Sequence, residues 1–209
     1  MGNSVDNKKI TDIHLDVLRE IGNIGLGNAA TSLAEMVNKR IDMAVPQSKF
    51  VTLEEAMNMV GGLEEVVACV SLHVDGDVPA QILFIFNQQS TLYLVDMLMG
   101  MDKGTTQQLD EMGESVVKEI SNVLTGSFLS AIGSMTQLAM TPTVPMFAYD
   151  MLGAVLSTSL VAGGYIEEHI LMIETTLFEE HENIKGHFFM ITEDQSLDKL
   201  FNALGLSIN

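Results

Sequence analysis

The strongest constraint on the fold is a segment that occurs twice in the chain. Residues 16–27, DVLREIGNIGLG, reappear as SVVKEISNVLTG at residues 115–126. Each matched residue lies 99 positions after its counterpart, and the Val-Pro pair at 45–46 recurs at 144–145 with the same spacing. Similarity at a constant spacing is the signature of a repeated structural unit. The sequence therefore predicts an internal duplication.

The two copies predict one domain, 1–209, made of two repeats at about 11–100 and about 110–206. Each repeat is expected to contain a long helix, an extended segment, further strands and a closing helix. A hydrophobic content of 47% allows a chain of 209 residues to bury a real core. The linker at 100–106 is too short to separate independent domains, so the strands of both repeats are expected to join one sheet.

Two long helices are predicted from apolar residues that recur at helical spacing. The first is expected to have Asp12 as its N-cap and to continue to about Lys39. The second is expected to begin near Asp110, at the same place in the second copy. These helices carry the repeated segment, so the functional residues are expected on their exposed faces.

Strands are predicted where apolar residues alternate between turn-forming segments. Two hairpins are expected: 66–74 with 78–86, and 169–178 with 186–191, the latter joined by a charged loop at 179–185. Two further extended segments are expected at 41–51 and 141–149. They contain Pro46 and Pro145, and a sheet tolerates proline on its edge strands.

Acidic residues dominate the charge, with 28 Asp and Glu against 10 Lys and Arg and a formal net charge of −18. Such a field repels phosphate backbones and anionic lipid headgroups, which makes nucleic acid and membrane surfaces poor partners and favours a protein with a basic face. The uncharged segment 120–149 is long enough to cross a bilayer, but its polar residues and two prolines favour a buried helix followed by a strand. The polar first nine residues lack a signal-peptide pattern, so a cytoplasmic location is expected.

The cysteine and histidine content predicts no metal site. Cys69 is the only cysteine, so it cannot form an internal disulfide, and its apolar neighbours predict a small buried side chain in a reducing compartment. The five histidines show no His-x-x-x-His spacing, and there is no Cys-x-x-Cys pair. A glycine-rich phosphate loop and a Ser, His and Asp arrangement are also not identifiable.

Two polar residues are identical in both copies while several residues around them differ, such as Gly22 against Ser121 and Arg19 against Lys118. The identical pair is Glu20 and Asn23 in the first copy, and Glu119 and Asn122 in the second. Residues three apart on a helix lie on the same face about one turn apart. A carboxylate and an amide are thus presented together, and their retention in both copies predicts a shared use.

Glycines surround the first pair, at Gly22, Gly25 and Gly27. Each costs about 1 kcal/mol relative to alanine in a helix interior. Two explanations remain open from the sequence. The long helices pack tightly against each other, or the backbone of a partner approaches this helix closely.

The complete pattern is Asp or Ser, three residues, Glu, two residues, Asn, twenty-two residues and Pro. It is satisfied twice, by Asp16, Glu20, Asn23 and Pro46 and by Ser115, Glu119, Asn122 and Pro145. The pattern resembles the signature of the CheC, CheX and FliY family of bacterial chemotaxis phosphatases, and the resemblance covers essentially the whole chain. Two retained pairs are more similar to CheC-type members than to CheX-type members, which keep one; FliY-type members carry an additional C-terminal flagellar-switch domain.

This resemblance implies hydrolysis of the aspartyl phosphate on the response regulator CheY. It also implies an α/β domain with pseudo-two-fold symmetry, in which two long helices pack on one β-sheet. The two asparagines would orient the attacking water, and the two glutamates would engage the regulator's active-site lysine. Asp16 and Ser115 would support that contact. The chain would need no cofactor of its own, because the Mg²⁺ ion belongs to the regulator.

CheC-type members also bind the receptor deamidase CheD, which the resemblance makes a second expected partner. Asp150 could N-cap a short apolar helix at 150–156, whereas the corresponding element of the first repeat, 52–60, is more acidic. We therefore expect the CheD contact at the helix that begins near Asp150. The alternative, that this helix only packs on the sheet, remains open.

Two other functions compete with phosphatase activity. One is a non-catalytic CheY- or CheD-binding module of the flagellar-switch type, because FliM uses this fold without the Glu and Asn pair. The retained pairs argue against it. The other is a metal hydrolase, which would need ligands at a spacing that the sequence does not contain.

Overall fold

The computed structural model describes residues 10–163, 170–179, 182–192 and 194–207. Six helices lie within them: α1 Asp12–Val37, α2 Leu53–Val60, α3 Gln88–Leu98, α4 Glu111–Thr136, α5 Leu152–Gly163 and α6 Asp194–Ala203. The strands of the same residues are β1 Asp42–Val51, β2 Val66–Gly76, β3 Ala80–Asn87, β4 Met140–Pro142, β5 Met146–Met151, β6 Ile170–Glu179 and β7 Glu182–Thr192. Residues 12–98 and 111–203 follow the same order of elements, except that β4 and β5 stand where the first half has β1 alone.

All seven strands belong to one antiparallel sheet. Its order is β1, β6, β7, β3 and β2, and both β4 and β5 pair with the far side of β2. The predicted hairpins are confirmed as β2 with β3 and β6 with β7. The pairing of β3 with β7, where Ile82 lies opposite Met190, joins the strands of the two halves. The prediction of a single sheet is therefore confirmed.

Helices cover both faces of this sheet. The larger apolar cluster contains buried residues of α1, α3, α4 and α6 and the sheet face beneath them, including Leu18, Leu124 and Phe188. The opposite face is covered by α2 and α5, whose buried residues include Val60 and Leu156. The predicted arrangement, an α/β domain with two long helices packed on one sheet, is confirmed.

The two long helices match each other closely in length and at their ends. Each contains 26 residues, and each is followed by a C-cap residue in the left-handed conformation, Asn38 with φ of 53° and Gln137 with φ of 62°. Asp110 is the N-cap of α4, as predicted, and accepts a hydrogen bond from the Gly113 backbone at 2.8 Å. The prediction of Asp12 as N-cap of α1 was wrong, because Thr11 takes that position and its backbone N–H is held by His14 Nδ1 at 3.1 Å.

The second half departs from the predictions in two places. The expected strand at 141–149 is divided into β4 and β5, and Pro145 lies between them. Most of the expected loop at 179–185 is strand, because β6 continues to Glu179 and β7 begins at Glu182; residues 180–181 lie outside the described residues. Residue 169, the predicted first residue of the second hairpin, also lies outside the described residues.

Asp150 is not the N-cap of a helix, so that prediction was wrong. It belongs to β5 and lies opposite Val67 of β2. The first turn of α5 is instead satisfied by backbone carbonyls, since the N–H of Leu152 donates to Glu65 at 2.8 Å and that of Gly153 donates to Leu63 at 3.0 Å. These non-local partners leave no role for Asp150 as a cap.

The uncharged segment 120–149 contains most of α4, then β4 and the beginning of β5. Ile120 and Leu124 are buried against the sheet, whereas Asn122 is exposed. This alternation fits a helix that packs on a sheet. Among the described helices, none has the length and apolar character that crossing a bilayer requires.

Candidate functional site

The first candidate site lies on the outer face of α1. Asp16, Glu20 and Asn23 are all exposed, while Leu18 and Ile21 between them are fully buried under the helix. This placement follows from the 3.6-residue period, which puts positions 16, 20 and 23 on one stripe. Asp16 is paired with Arg19 at 2.9 Å, and both side chains are largely in solvent. Because Arg19 is turned to Asp16, it does not neutralise the carboxylate of Glu20.

The Asn23 amide is held by the sheet. Its Oδ1 accepts a hydrogen bond from the backbone N–H of Val45 at 3.0 Å. This bond assigns the orientation of the amide, with both Nδ2 hydrogens and the second lone pair of Oδ1 left for another group. Asn23 nevertheless remains exposed. The amide is therefore fixed in direction and still accessible to a partner.

The second candidate site occupies the same position on α4. Ser115, Glu119 and Asn122 are exposed along one stripe. The residues Val117 and Ile120, which lie between them in the sequence, are buried. The Ser115 hydroxyl donates to the Glu111 carbonyl of its own helix at 3.0 Å. In the part of the chain that the structure describes, the side chains of Glu119 and Asn122 make no hydrogen bond or ion pair. This amide is not held as Asn23 is.

A basic residue precedes the glutamate in both helices. Arg19 precedes Glu20 and is turned to Asp16. Lys118 precedes Glu119, forms an ion pair with Glu114 at 2.5 Å and lies 5.6 Å from the centre of the Phe147 ring. Both cations are thus paired with a carboxylate other than the glutamate that follows them, and each glutamate is left as a local negative charge beside the amide.

The glycines divide between the two explanations that the sequence left open. Gly22 and Gly25 serve packing, because a Cβ atom would lie 2.9 Å from Val45 Cγ2 at the first and 2.9 Å from Phe128 Cα at the second. Gly27 and Gly126 have nothing within 4 Å of a Cβ position. These two follow Asn23 and Asn122 by four residues, on the same exposed stripes. Their lack of a side chain keeps the helix surface open beside each amide.

The arrangement offers positioning chemistry. An exposed carboxylate and an exposed amide stand about one turn apart on each helix, and among the described residues no histidine lies on either stripe. Such a pair can fix the geometry of another molecule and orient a water by hydrogen bonds. Within the described ranges, no group of three or more His, Cys, Asp or Glu side chains is placed to hold a metal ion.

Two other residues singled out from the sequence lie apart from these stripes. Asp150 is exposed on β5, where its Oδ1 accepts from the Met151 backbone N–H at 2.7 Å. Cys69 is buried in β2, and burial raises the pKa of its thiol to about 12. A thiol in that environment stays protonated and closed to solvent, so Cys69 cannot act as a nucleophile.

The sequence did not identify the backbone N–H of Val45 as part of the first site. A signal was present, because the motif fixes the distance from Asn23 to Pro46, the residue after Val45. The structure gives this spacing a physical meaning: it brings the strand that follows α1 back to the asparagine. The residue 99 positions after Val45, Val144, lies in the segment between β4 and β5 and is 86% exposed.

Comparison with known proteins identifies relatives over most of the chain. The model of the CheC-like family matches residues 13–49, and that of the chemotaxis phosphatase CheX matches residues 66–162. The CheY-P phosphatase CheC of Bacillus subtilis (strain 168) is 34% identical over 203 residues, which cover 95% of this chain and 97% of the relative. The first match includes Glu20, Asn23 and Pro46.

Solved structures share the fold at lower sequence identity. FliY of Thermotoga maritima has a TM-score of 0.76 and 18% identity, covering 94% of this chain and 98% of that one. The FliM middle domain of H. pylori has a TM-score of 0.69 and 10% identity, covering 93% and 99%. CheX in the CheX-CheY-BeF3-Mg²⁺ complex of Borrelia burgdorferi has a TM-score of 0.51 and 16% identity, covering 81% and 96%.

At these identities the structural likeness shows only the fold. The family is shown by the sequence identity to CheC of Bacillus subtilis. An identity of 34% across 95% of the residues is enough to carry that assignment. The chain belongs to the CheC-like family of chemotaxis phosphatases, and it is a phosphatase.

Proposed function

We propose that the chain hydrolyses the aspartyl phosphate of the chemotaxis response regulator CheY at two sites, Glu20 with Asn23 and Glu119 with Asn122. The observation that carries the proposal is the placement of both pairs on exposed stripes of two long helices of equal length. The relative named CheY-P phosphatase CheC supports the substrate. The structure that pairs a CheX with CheY supports a regulator as the partner.

The chemistry requires little more than positioning. An aspartyl phosphate is already reactive, so placing a water in line with the phosphorus removes much of the remaining barrier. An uncharged amide can direct that water by hydrogen bonding, and this is the role of Asn23 and Asn122. Glu20 and Glu119 engage the regulator's active-site lysine and fix the docking by charge complementarity. Asp16 and Ser115 border that contact one turn earlier.

The open helix surface beside each amide supports this mode of docking. No side chain covers the stripe at Gly27 or Gly126. A regulator can therefore bring its phosphorylated aspartate close to the helix backbone. Any Mg²⁺ ion belongs to the regulator's own site, where it neutralises charge on the phosphoryl oxygens. The chain contributes the water-orienting amide and the lysine-binding carboxylate.

We further propose that the two sites arose by duplication within the chain. The recurrence of residues 16–27 at 115–126 supports this origin. The shared order of elements and the equal lengths of α1 and α4 are consistent with it. Duplication explains why one chain carries two complete pairs.

The receptor deamidase CheD is proposed as a regulatory partner, with its contact at the end of β5. Asp150 is exposed there, although α5 buries Leu152, Val155 and Leu156 on the sheet. The contact would therefore use the outer surface around Asp150. CheD binding to D150K should be weaker than to the parent, and E54K, on the exposed face of α2, is the matched control. Equal binding of CheD to both variants would place the contact elsewhere.

The experiment that tests the phosphatase proposal times the loss of phosphate from purified phosphorylated CheY with and without the chain. The chain is expected to accelerate the loss at substoichiometric concentration, because each molecule turns over many regulators. Acceleration only at stoichiometric amounts would contradict turnover. Binding of CheY without any acceleration would instead indicate an interaction module of the FliM type.

A further inference from the structure

The strand that holds Asn23 contains a bulge. β1 advances three residues from Ala44 to Gln47 while its partner β6 advances two, from Thr176 to Glu174, so β1 has one extra residue there. The extra residue changes which side chains of β1 face α1 and α4. Val45, inside the bulge, packs with the larger apolar cluster beneath α1 and α4, and Phe50 does so after the bulge, whereas Val51 belongs to the opposite cluster. The bulge is a defined change of register along the strand.

The bulge leaves the backbone N–H of Val45, which holds Asn23, without a partner in the sheet. Neither Val45 nor Pro46 has a partner in the ladder with β6. Pro46 has no N–H to offer to a ladder, and the N–H of Val45 donates to Asn23 Oδ1 at 3.0 Å. In a regular strand one of these positions would be paired with β6. The position of the bulge therefore sets the direction of the Asn23 amide.

A polar contact fixes the first residue after the bulge. Gln47 Nε2 donates to Glu174 Oε2 at 2.5 Å, and the two residues are also directly opposite each other in the ladder. The Glu174 side chain is only 13% exposed, and Lys185 Nζ lies 3.8 Å from its Oε1. A hydrogen bond to a largely buried carboxylate is among the stronger kinds. It holds Gln47 on the face away from α1 and so stabilises the bulged register.

We propose that Gln47 and Glu174 are positioning residues for Asn23. They act from the opposite face of the sheet, by fixing the β1 bulge that turns the Val45 N–H toward the amide. The inference rests on the proposed function of Asn23, and it names the residues that make the first site rigid. Disturbing the contact should loosen the amide while leaving the helix in place.

The second site lacks such support. Val144, which the repeat places where Val45 is in the first half, is 86% exposed and lies outside the strands. In the described residues, the Asn122 side chain has no hydrogen-bond partner. Loss of the contact between Gln47 and Glu174 should therefore affect the first site alone. The chain thus provides an internal control for its own test.

The kinetic test uses two backgrounds, N122A, in which only the first site works, and N23A, in which only the second works. In N122A, adding Q47A should lower kcat for phosphorylated CheY on the order of 10-fold with KM little changed, because docking is retained and orientation is lost. In N23A, Q47A should change nothing. Lys49 lies on the same strand, two residues after Gln47. K49A is therefore the matched control, and it should leave the activity of both backgrounds unchanged.

A conservative variant separates positioning from folding. E174A should behave like Q47A, whereas E174Q keeps an acceptor oxygen for Gln47 and should retain most of the activity of the first site. Equal losses from Q47A in both backgrounds would mean a general structural effect and would overturn the proposal. An unchanged kcat in N122A would overturn it as well.

A second readout is independent of activity. The hydrogen exchange of the Val45 N–H, followed by NMR, should be slow in the parent and faster in N23A and in Q47A, with no change in N122A. Unchanged exchange in Q47A would refute the positioning role even if the chain were an active phosphatase. Faster exchange in Q47A, in a chain that did not act on CheY at all, would support the positioning role while the proposed function failed.

Discussion

The backbone of Gly25 in α1 lies against the backbone of Phe128 in α4, so closely that a Cβ atom at Gly25 would be 2.9 Å from Phe128 Cα and 3.2 Å from its nitrogen. The two long helices that carry the candidate sites thus meet backbone to backbone at this point. Side chains at such a crossing would separate the helices. The spacing of the two sites across the molecule is set here.

This contact predicts opposite effects for two glycines of one helix. G25A should lower the free energy of unfolding by about 1–3 kcal/mol, because the neighbour is backbone and cannot rotate away. G27A should raise it by up to about 1 kcal/mol, because nothing lies within 4 Å and alanine is the better helix former. Urea unfolding of the parent and both variants measures the difference. Equal destabilisation by the two substitutions would contradict the packing described for α1.

A larger residue at the open glycine tests the approach of the regulator. In an N122A background, G27L should lower the rate of CheY dephosphorylation through the first site, because its side chain would stand beside Asn23 where the phosphorylated aspartate approaches. N28L is the control, since Asn28 is also exposed but lies on another side of the helix. Thermal melts should show both variants folded. A normal rate for G27L would mean that the regulator does not pass over this surface.

Much of this architecture could be predicted from local patterns, because helices and hairpins follow the spacing of apolar residues. The stripes at Glu20 and Asn23 and at Glu119 and Asn122 belong to this class. The contacts that depend on distant segments could not. Asp150 satisfies the local rules of an N-cap, but the carbonyls of Leu63 and Glu65 bind the first turn of α5 instead.

The same limit applies to the support of the first site. Gln47 and Glu174 are 127 residues apart in the chain, and nothing in either local sequence predicts their contact. The position of Pro46 was part of the motif, but its role in a bulge depends on the strand beside it. Thr11 replaced Asp12 as a cap because His14 reaches back to its backbone, a pairing that side-chain preferences alone do not indicate.

The linker between the halves is held by a buried carboxylate. Asp96 is 1% exposed and accepts backbone hydrogen bonds from Gly104 at 2.7 Å, Thr105 at 3.2 Å and Thr106 at 2.8 Å. Burial alone would raise the pKa of Asp96, but the hydrogen bonds from Thr106, Gly104 and Thr105 outweigh it and lower the pKa. The carboxylate is therefore stabilised in its charged form.

D96N should lower the free energy of unfolding by about 1–3 kcal/mol, because an amide offers one acceptor oxygen where the carboxylate has two. The pKa of Asp96 is lower in the folded chain than in the unfolded chain. Its contribution is thus complete above the ordinary value of about 3.9 and is lost as the pH falls through the folded value. The free energy of unfolding of D96N should therefore lack the part of its pH dependence that comes from Asp96. D102N, an exposed carboxylate in the same linker, is the control, and an unchanged stability of D96N would contradict this role.

The single cysteine should be inert. Burial raises the pKa of the Cys69 thiol to about 12, so the native chain should not react with iodoacetamide at pH 8 until it unfolds. C69A should dephosphorylate CheY at the parent rate, because a buried protonated thiol cannot attack phosphorus. Rapid labelling of the native chain, or loss of activity in a folded C69A, would contradict this expectation and indicate thiolate chemistry.

The central claim is that the two exposed amides orient water for hydrolysis of the regulator's aspartyl phosphate. The most direct measurement is the rate of phosphate loss from phosphorylated CheY with the parent, N23A, N122A and the double variant, with N28A as the control. Each single variant should keep activity from the other site, and the double variant should lose about 10²-fold or more while remaining folded. A folded double variant that dephosphorylates CheY as fast as the parent would contradict the account.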